Sequence, residues 1–190
     1  MPTIPPLDSL HYRVVGTALA TALRAADPQA AVARALSLNA GFLSVHDAPL
    51  GSADNAPPRD EPIRYQLDRI RRILVVGAGK AGVGMAEGVR QVFDRAGRKV
   101  SGWVNVKEGF SGGVERVGGI TIHEAGHPLP DERGLEGSRR IVELALAATG
   151  DDLLIVLLSG GGSALLEWPA AGLALADLQA TTQTLMHAGA

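Results

Sequence analysis

The sequence predicts an α/β fold: a mainly parallel sheet with helices on both faces, in three layers. Three observations carry this. From Ile73 onward, short runs rich in Val, Ile and Leu alternate with longer segments whose apolar residues recur at helical spacing. The run Leu153–Leu158 is apolar at every position, as in a strand buried on both faces. Three unusual loops, Gly77–Gly82 (GAGKAG), Glu124–Asp131 (EAGHPLPD) and Ser159–Ser163 (SGGGS), each follow a strand. In a parallel sheet they share one edge, beyond the carboxyl ends of the strands, where ligands bind.

In chain order, residues 1–7 read as a loose, proline-bearing lead. Asp8 or Ser9 caps a helix to about Ala26, with Val14, Val15, Ala18, Leu19, Ala22 and Leu23 at helical spacing. Asp27-Pro28, a cap followed by a first-turn proline, opens a second helix to about Leu38. Phe42–Val45 and Ile63–Leu67 are short strands. The segment His46–Pro62 between them is rich in Pro, Asp, Asn, Gly and Ser and reads as a surface loop. Arg64, Arg69, Arg71 and Arg72 form a basic approach, read as a solvated face.

Ile73–Val76 is the first strong strand. A helix through Val83, Met85, Ala86, Val89, Val92 and Phe93 ends near Gly97. Val100–Val106 is the next strand, Gly109–Gly119 a glycine-rich connection, and Ile120–Ile122 a short strand. A helix from about Glu132 to Ala148 buries Ile141, Val142, Leu144 and Leu146. The strand Leu153–Leu158 runs into SGGGS, and the helix formers Ala164, Leu165 and Leu166 follow as a short helix. A last helix spans about Ala176 to His187. No internal repeat is present.

The totals exclude several classes. The chain has 190 residues, enough for one ordinary domain, and is 46% apolar but only 4% aromatic. Its core is therefore mainly Ala, Val, Leu and Ile. A formal charge of -2 gives no electrostatic argument for nucleic acid or an anionic membrane. With no cysteine there are no disulfides, thiolate metal sites or cysteine nucleophiles, which fits a reducing cytoplasm. No run reaches transmembrane length, and the first residues lack the pattern of a signal peptide.

The SGGGS loop places backbone N–H groups and two hydroxyls, Ser159 and Ser163, at one sheet edge. Gly160, Gly161 and Gly162 have no Cβ, so an anion can approach the backbone, and a helix start would favour its charge. A tight turn with glycines kept for packing is the plainer reading. Gly77, Gly79 and Gly82 satisfy the dinucleotide fingerprint G-x-G-x-x-G. The acid expected after the next strand is poorly matched by Lys107-Glu108. Lys80 inside the loop suits a transferable phosphate better than a hydride. A Walker loop is absent. His123-Glu124-Ala125-Gly126-His127 matches the zinc-protease letters H-E-x-x-H, but Gly126, Pro128 and Pro130 forbid the helix that motif needs, so the match is a coincidence. In this turn the candidates are His127 and Asp131, with Asp131 also a natural helix cap.

With these loops in hand, the chain resembles the N-terminal part of the glycerate 2-kinases, whose C-terminal half is the MOFRL domain. The resemblance rests on Ile73–Ala86 (ILVVGAGKAGVGMA), Glu124–Gly134 (EAGHPLPDERG) and Leu157–Leu166 (LLSGGGSALL), with the alanine-rich start Ala22–Leu36 also similar. It implies a Rossmann-like N-terminal domain over residues 1–190, part of a two-domain enzyme, and a chain that stops short of the family's second domain. It implies transfer of the ATP γ-phosphate to the 2-hydroxyl of D-glycerate, giving 2-phosphoglycerate, with Mg2+ whose ligands lie beyond this chain. It implies Lys80 as the catalytic lysine, and Gly77, Gly79, Ser159, Gly160, Gly161, Gly162, Ser163, His127 and Asp131 as binding residues. Some relatives are known as hydroxypyruvate reductases, so an NAD(P)-dependent reductase is the alternative, with a non-catalytic anion-binding domain as a third reading. A small-molecule substrate is expected, with neither nucleic acid nor membrane as partner; a homo-oligomer is compatible.

Overall fold

In a computed structural model, residues 9–46 and 61–189 are described. The predicted lead, the Asp8 cap and nearly all of the predicted loop, residues 47–60, lie outside the described residues.

Helix α1 spans Ser9–Ala25 and α2 spans Pro28–Ala35. The Asp27 carboxylate caps α2 by accepting the Ala30 N–H at 2.7 Å, and Pro28 fills the first turn. The predicted run of α2 to Leu38 is corrected. Leu36 is already extended, and Leu36–Asn39 forms strand β1, whose register places Leu36 opposite Val45 and Asn39 opposite Phe42. Strands β2 (Phe42–Val45) and β3 (Ile63–Gln66) complete an antiparallel sheet in the order β1-β2-β3. Pairing to β2 outweighs the weak helix preference of Leu36 and Ser37.

The main sheet holds β4 (Ile73–Ala78), β5 (Val100–Lys107), β6 (Arg116–Val117), β7 (Gly119–Ala125) and β8 (Leu153–Leu158), in the order β6-β7-β5-β4-β8. All its pairings are parallel except β6 with β7. The chain steps from β4 through β5 to β7, then returns to the far side of β4 as β8. The crevice between β4 and β8 is thus where the direction of winding reverses.

Helices α3 (Gly82–Asp94) and α4 (Glu132–Leu146) cover opposite faces. Gly82 of α3 abuts Val104 and Val106, while Gly137 of α4 abuts the Asn105 side chain between them. Residues adjacent along a strand point to opposite faces, so the two helices flank β5. The core lies under α3, where Ala86, Val89 and Phe93 meet Val75, Val104, Val106 and Ile120. Burying Phe93 alone contributes roughly 1.5–3 kcal/mol. On its other side α3 packs against α2, where Gly88 leaves room for Val32.

Three further expectations change. Strand β7 is longer than Ile120–Ile122 and takes in His123, Glu124 and Ala125, with β6 as its hairpin partner inside the predicted glycine-rich connection. Strand β8 is not buried on both faces. It is the sheet edge: Leu153, Ile155 and Leu157 join the core, whereas Val156 and Leu158 are 54% and 60% exposed. Finally, no α-helix follows SGGGS. Gly162–Ala164 is a single 3-10 turn, because Gly161 takes a left-handed φ of 91° and redirects the chain. Helix α5 (Leu175–His187) ends the described chain.

The basic approach is only partly a solvated face. Arg72 and Arg71 reach Asp152 at 2.7 and 3.1 Å, and Thr149 adds its N–H and hydroxyl. These donors, Arg72 foremost, hold the Asp152 carboxyl far below its ordinary range. They tie the start of β4 to the start of β8.

Candidate functional site

The β4–α3 loop is set by close approach. A Cβ on Gly77 would lie 2.2 Å from the Leu157 carbonyl oxygen, and one on Gly79 would lie 2.1 Å from Ser159 Oγ. Only glycine permits these contacts, so both residues let β4 and its loop press against the end of β8. The loop's N–H groups are all used within the protein. Gly79 donates to the Asn105 carbonyl, Lys80 to the Gly160 carbonyl, Ala81 to Ser159 Oγ and Gly82 to the Gly79 carbonyl, at 3.0–3.2 Å. Gly77 and Gly79 thus let the loop that carries Lys80 press against the end of β8. A dinucleotide pyrophosphate would need N–H groups that this loop has already spent.

The SGGGS loop differs. Ser159 is engaged with Ala81, and Gly162 donates to the Ser159 carbonyl at 3.2 Å. Among the described residues, the N–H groups of Gly160 and Gly161 donate to nothing in the protein. Ser163 is exposed, and no partner of its hydroxyl is found among the described residues.

Lys80 and His127 meet this loop at Gly161. A Cβ there would lie 2.9 Å from His127 Nε2 and 3.4 Å from Lys80 Cε. Burial first, then the ammonium groups of Lys80 and Lys107, push the His127 imidazole below its ordinary value. The site thus joins a lysine free of ion pairs among the described residues, a neutral imidazole and two open N–H groups. That combination fits an oxyanion, phosphate above all. It does so without the helix dipole that the sequence suggested.

Asp131 is used differently. It caps α4 by accepting the Gly134 N–H at 2.9 Å and pairs with Arg133 at 2.7 Å. Burial works to raise its carboxyl, but the Gly134 and Gly126 N–H groups and Arg133 outweigh it and hold it low. Arg133 also binds Glu108. Asp131 is thus engaged with the start of α4 and with Arg133.

The H-E-x-x-H letters do not lie on a helix here. His123 lies on β7, its Nε2 2.9 Å from the Arg133 carbonyl oxygen and its ring beside Trp103. The Glu124 carboxylate accepts the N–H groups of Ser111 and Gly109. Among the described residues, no group of three or more His, Cys, Asp or Glu could hold a metal ion. Among the described residues there is thus no all-protein cage for Mg2+.

Sequence reasoning missed two residues. Asn105 is fully buried; its carbonyl accepts the Gly79 N–H, its amide donates to the Leu165 carbonyl at 2.7 Å, and Trp103 Nε1 donates to its Oδ1. It fixes both glycine loops to β5. An asparagine inside an apolar strand was the available signal. Glu167 follows the SGGGS segment, and among the described residues its buried Oε2 has no partner. Burial first, then Asp131, raises its carboxyl. Beside the site lies a cleft of about 250 Å³, lined by His127, Pro128, Leu129, Gln183, Met186 and His187.

Residues 14–190 match the family described as Domain of unknown function (DUF4147). The chain is 37% identical to a "D-glycerate 2-kinase" of Thermotoga maritima over 133 residues, 69% of this chain and 31% of that protein. It is 41% identical to a "Putative hydroxypyruvate reductase" of Agrobacterium vitis over 119 residues, 63% of this chain and 30% of that one. A crystal structure of a Pyrococcus horikoshii protein superposes with a TM-score of 0.70 at 29% identity, covering 98% of this chain and 37% of the other. The chain spans about a third of the length of the relatives it matches.

Proposed function

From the premise that the chain belongs to the DUF4147 family, we propose that it is the phosphate-handling part of a glycerate kinase, acting on the 2-hydroxyl of D-glycerate with ATP as donor. The observation that carries this reading is the meeting of Lys80, His127 and the open N–H groups of Gly160 and Gly161 at the β4–β8 crevice.

ATP, when bound, supplies the γ-phosphoryl group. The N–H groups of Gly160 and Gly161 are fixed donors that would hold its oxygens, and Lys80 supplies positive charge to the group in transfer. Phosphoryl transfer asks chiefly for such positioning and charge, so this equipment suits the reaction. His127, kept neutral, can accept the proton of the attacking hydroxyl. Among the described residues no group of three or more His, Cys, Asp or Glu is gathered to hold a metal ion.

The reductase reading has less support, because the N–H groups that would receive a pyrophosphate at Gly77–Gly82 are already spent. The test is ATP-dependent phosphorylation of D-glycerate, with the product's position read by phosphorus–proton NMR. Lys80→Met is expected to lower kcat by at least about a hundredfold, as loss of a charge-stabilising donor does, with an unchanged melting curve. Near-normal kcat in that variant, or oxidation of NADPH by hydroxypyruvate without phosphotransfer, would overturn the proposal.

A further inference from the structure

Lys107 ends β5, between the strand that leads to Lys80 and the strand that leads to His127. Its Cα is opposite Ala125 in the β7 register, just before the His127 turn. Its Nζ lies over the Phe110 ring, 4.9 Å from the centroid. The nearby carboxylates are occupied: Glu108 by Arg133, Glu124 by the N–H groups of Gly109 and Ser111, and Asp131 by Gly134 and Arg133. Among the described residues, Lys107 therefore has an aromatic support and no counter-ion. It acts on the same imidazole as Lys80.

Two ammonium groups around one neutral imidazole suit two anions better than one. A kinase for a hydroxy acid must bring a phosphate and a carboxylate together against their mutual repulsion, and fixed cations offset that cost. Lys80 borders the open N–H groups, the arrangement suited to a tetrahedral phosphate. Lys107 stands on a different strand, its ammonium held over a ring face.

We propose that Lys107 holds the carboxylate of the acceptor acid, leaving Lys80 and the glycine loop to the donor phosphate. This rests on the kinase reading above. Lys107 then determines specificity for an acid over a neutral polyol. It does so from a position that the fold places at the centre of the site edge, although none of the three glycine or proline loops contains it.

The test compares the natural protein with Lys107→Met, which keeps the apolar stem over Phe110, and with Lys107→Arg. Melting curves establish that each is folded. For Lys107→Met the KM for D-glycerate should rise roughly 10- to 100-fold, as expected for one charged hydrogen bond. The KM for ATP should stay within about twofold, and Arg should recover most of the loss. A rise confined to ATP, or no change in either KM, would overturn the proposal. A second arm needs no turnover: D-glycerate without nucleotide should raise the melting temperature of the natural protein but not of Lys107→Met, while glycerol should raise neither. Glycerate binding that depends on Lys107 in a protein that oxidises NADPH with hydroxypyruvate and transfers no phosphate would sink the kinase reading and keep the carboxylate site. Glycerate binding unaffected by Lys107→Met would sink the carboxylate site alone. Failure of the natural protein to bind glycerate at all would sink both.

Discussion

A Cβ on Gly161 would fall 2.9 Å from His127 Nε2, so the left-handed turn of the β8 loop and the imidazole of the β7 loop share one contact surface. The φ of 91° adds a second reason for glycine at this position. Gly161→Ala should therefore destabilise the fold by about 1–3 kcal/mol and displace His127. Gly160→Ala meets open space and should stay within roughly 0.5 kcal/mol of the parent. Urea denaturation of both variants checks this. Equal losses at the two positions would refute the steric argument.

His127 should titrate below its ordinary value of 6.5 in the folded protein. Burial and two cations disfavour its charged form, so the unfolded chain binds more protons. The resulting stability is fully present above the ordinary value and is lost as pH falls through the folded one. A proton NMR titration of the ring should give a low midpoint that rises in Lys80→Met, because one cation has gone. A midpoint unmoved by that substitution would mean that Lys80 has no part in setting it.

Glu167 has the opposite sign. Its carboxyl is raised above the ordinary 4.5, chiefly by burial, so the folded protein keeps a proton that the unfolded chain releases. Stability associated with this group is greatest at low pH and falls as pH rises through the folded value. Glu167→Gln, neutral at every pH, should stabilise the protein near pH 8 and lose that advantage near pH 4. Melting temperatures across this range decide it; a variant less stable than the parent at pH 8 would show that the carboxylate has a partner it needs.

The parallel α/β layering and the common edge of the three loops were legible because both follow from simple periodicities. Apolar runs alternating with helical spacing gave β4, α3, β5, α4 and β8, and the position of three odd loops after strands gave their shared edge; the strand order was not legible. Residues whose roles depend on contacts distant in sequence were not legible. The β1 residues Leu36–Asn39 look helical until β2 lies beside them. An unbroken apolar run cannot reveal that β8 is an edge. Gly160 and Gly161 can be told from Gly77 and Gly79 only when the destination of each N–H is known, since the letters alone suggest the same cradle twice. Lys107 looked like a defect in a dinucleotide fingerprint until its strand was placed between two others.

Asn105 has one more consequence. Its carbonyl and its side-chain amide hold the two glycine loops from a single buried position. Little conformational freedom is left in the loops for an incoming anion to remove, so most of the ordering cost has been met during folding. Association should then follow simple one-step kinetics, with a rate that grows linearly with ligand concentration and shows no plateau from a slow closing of the loops.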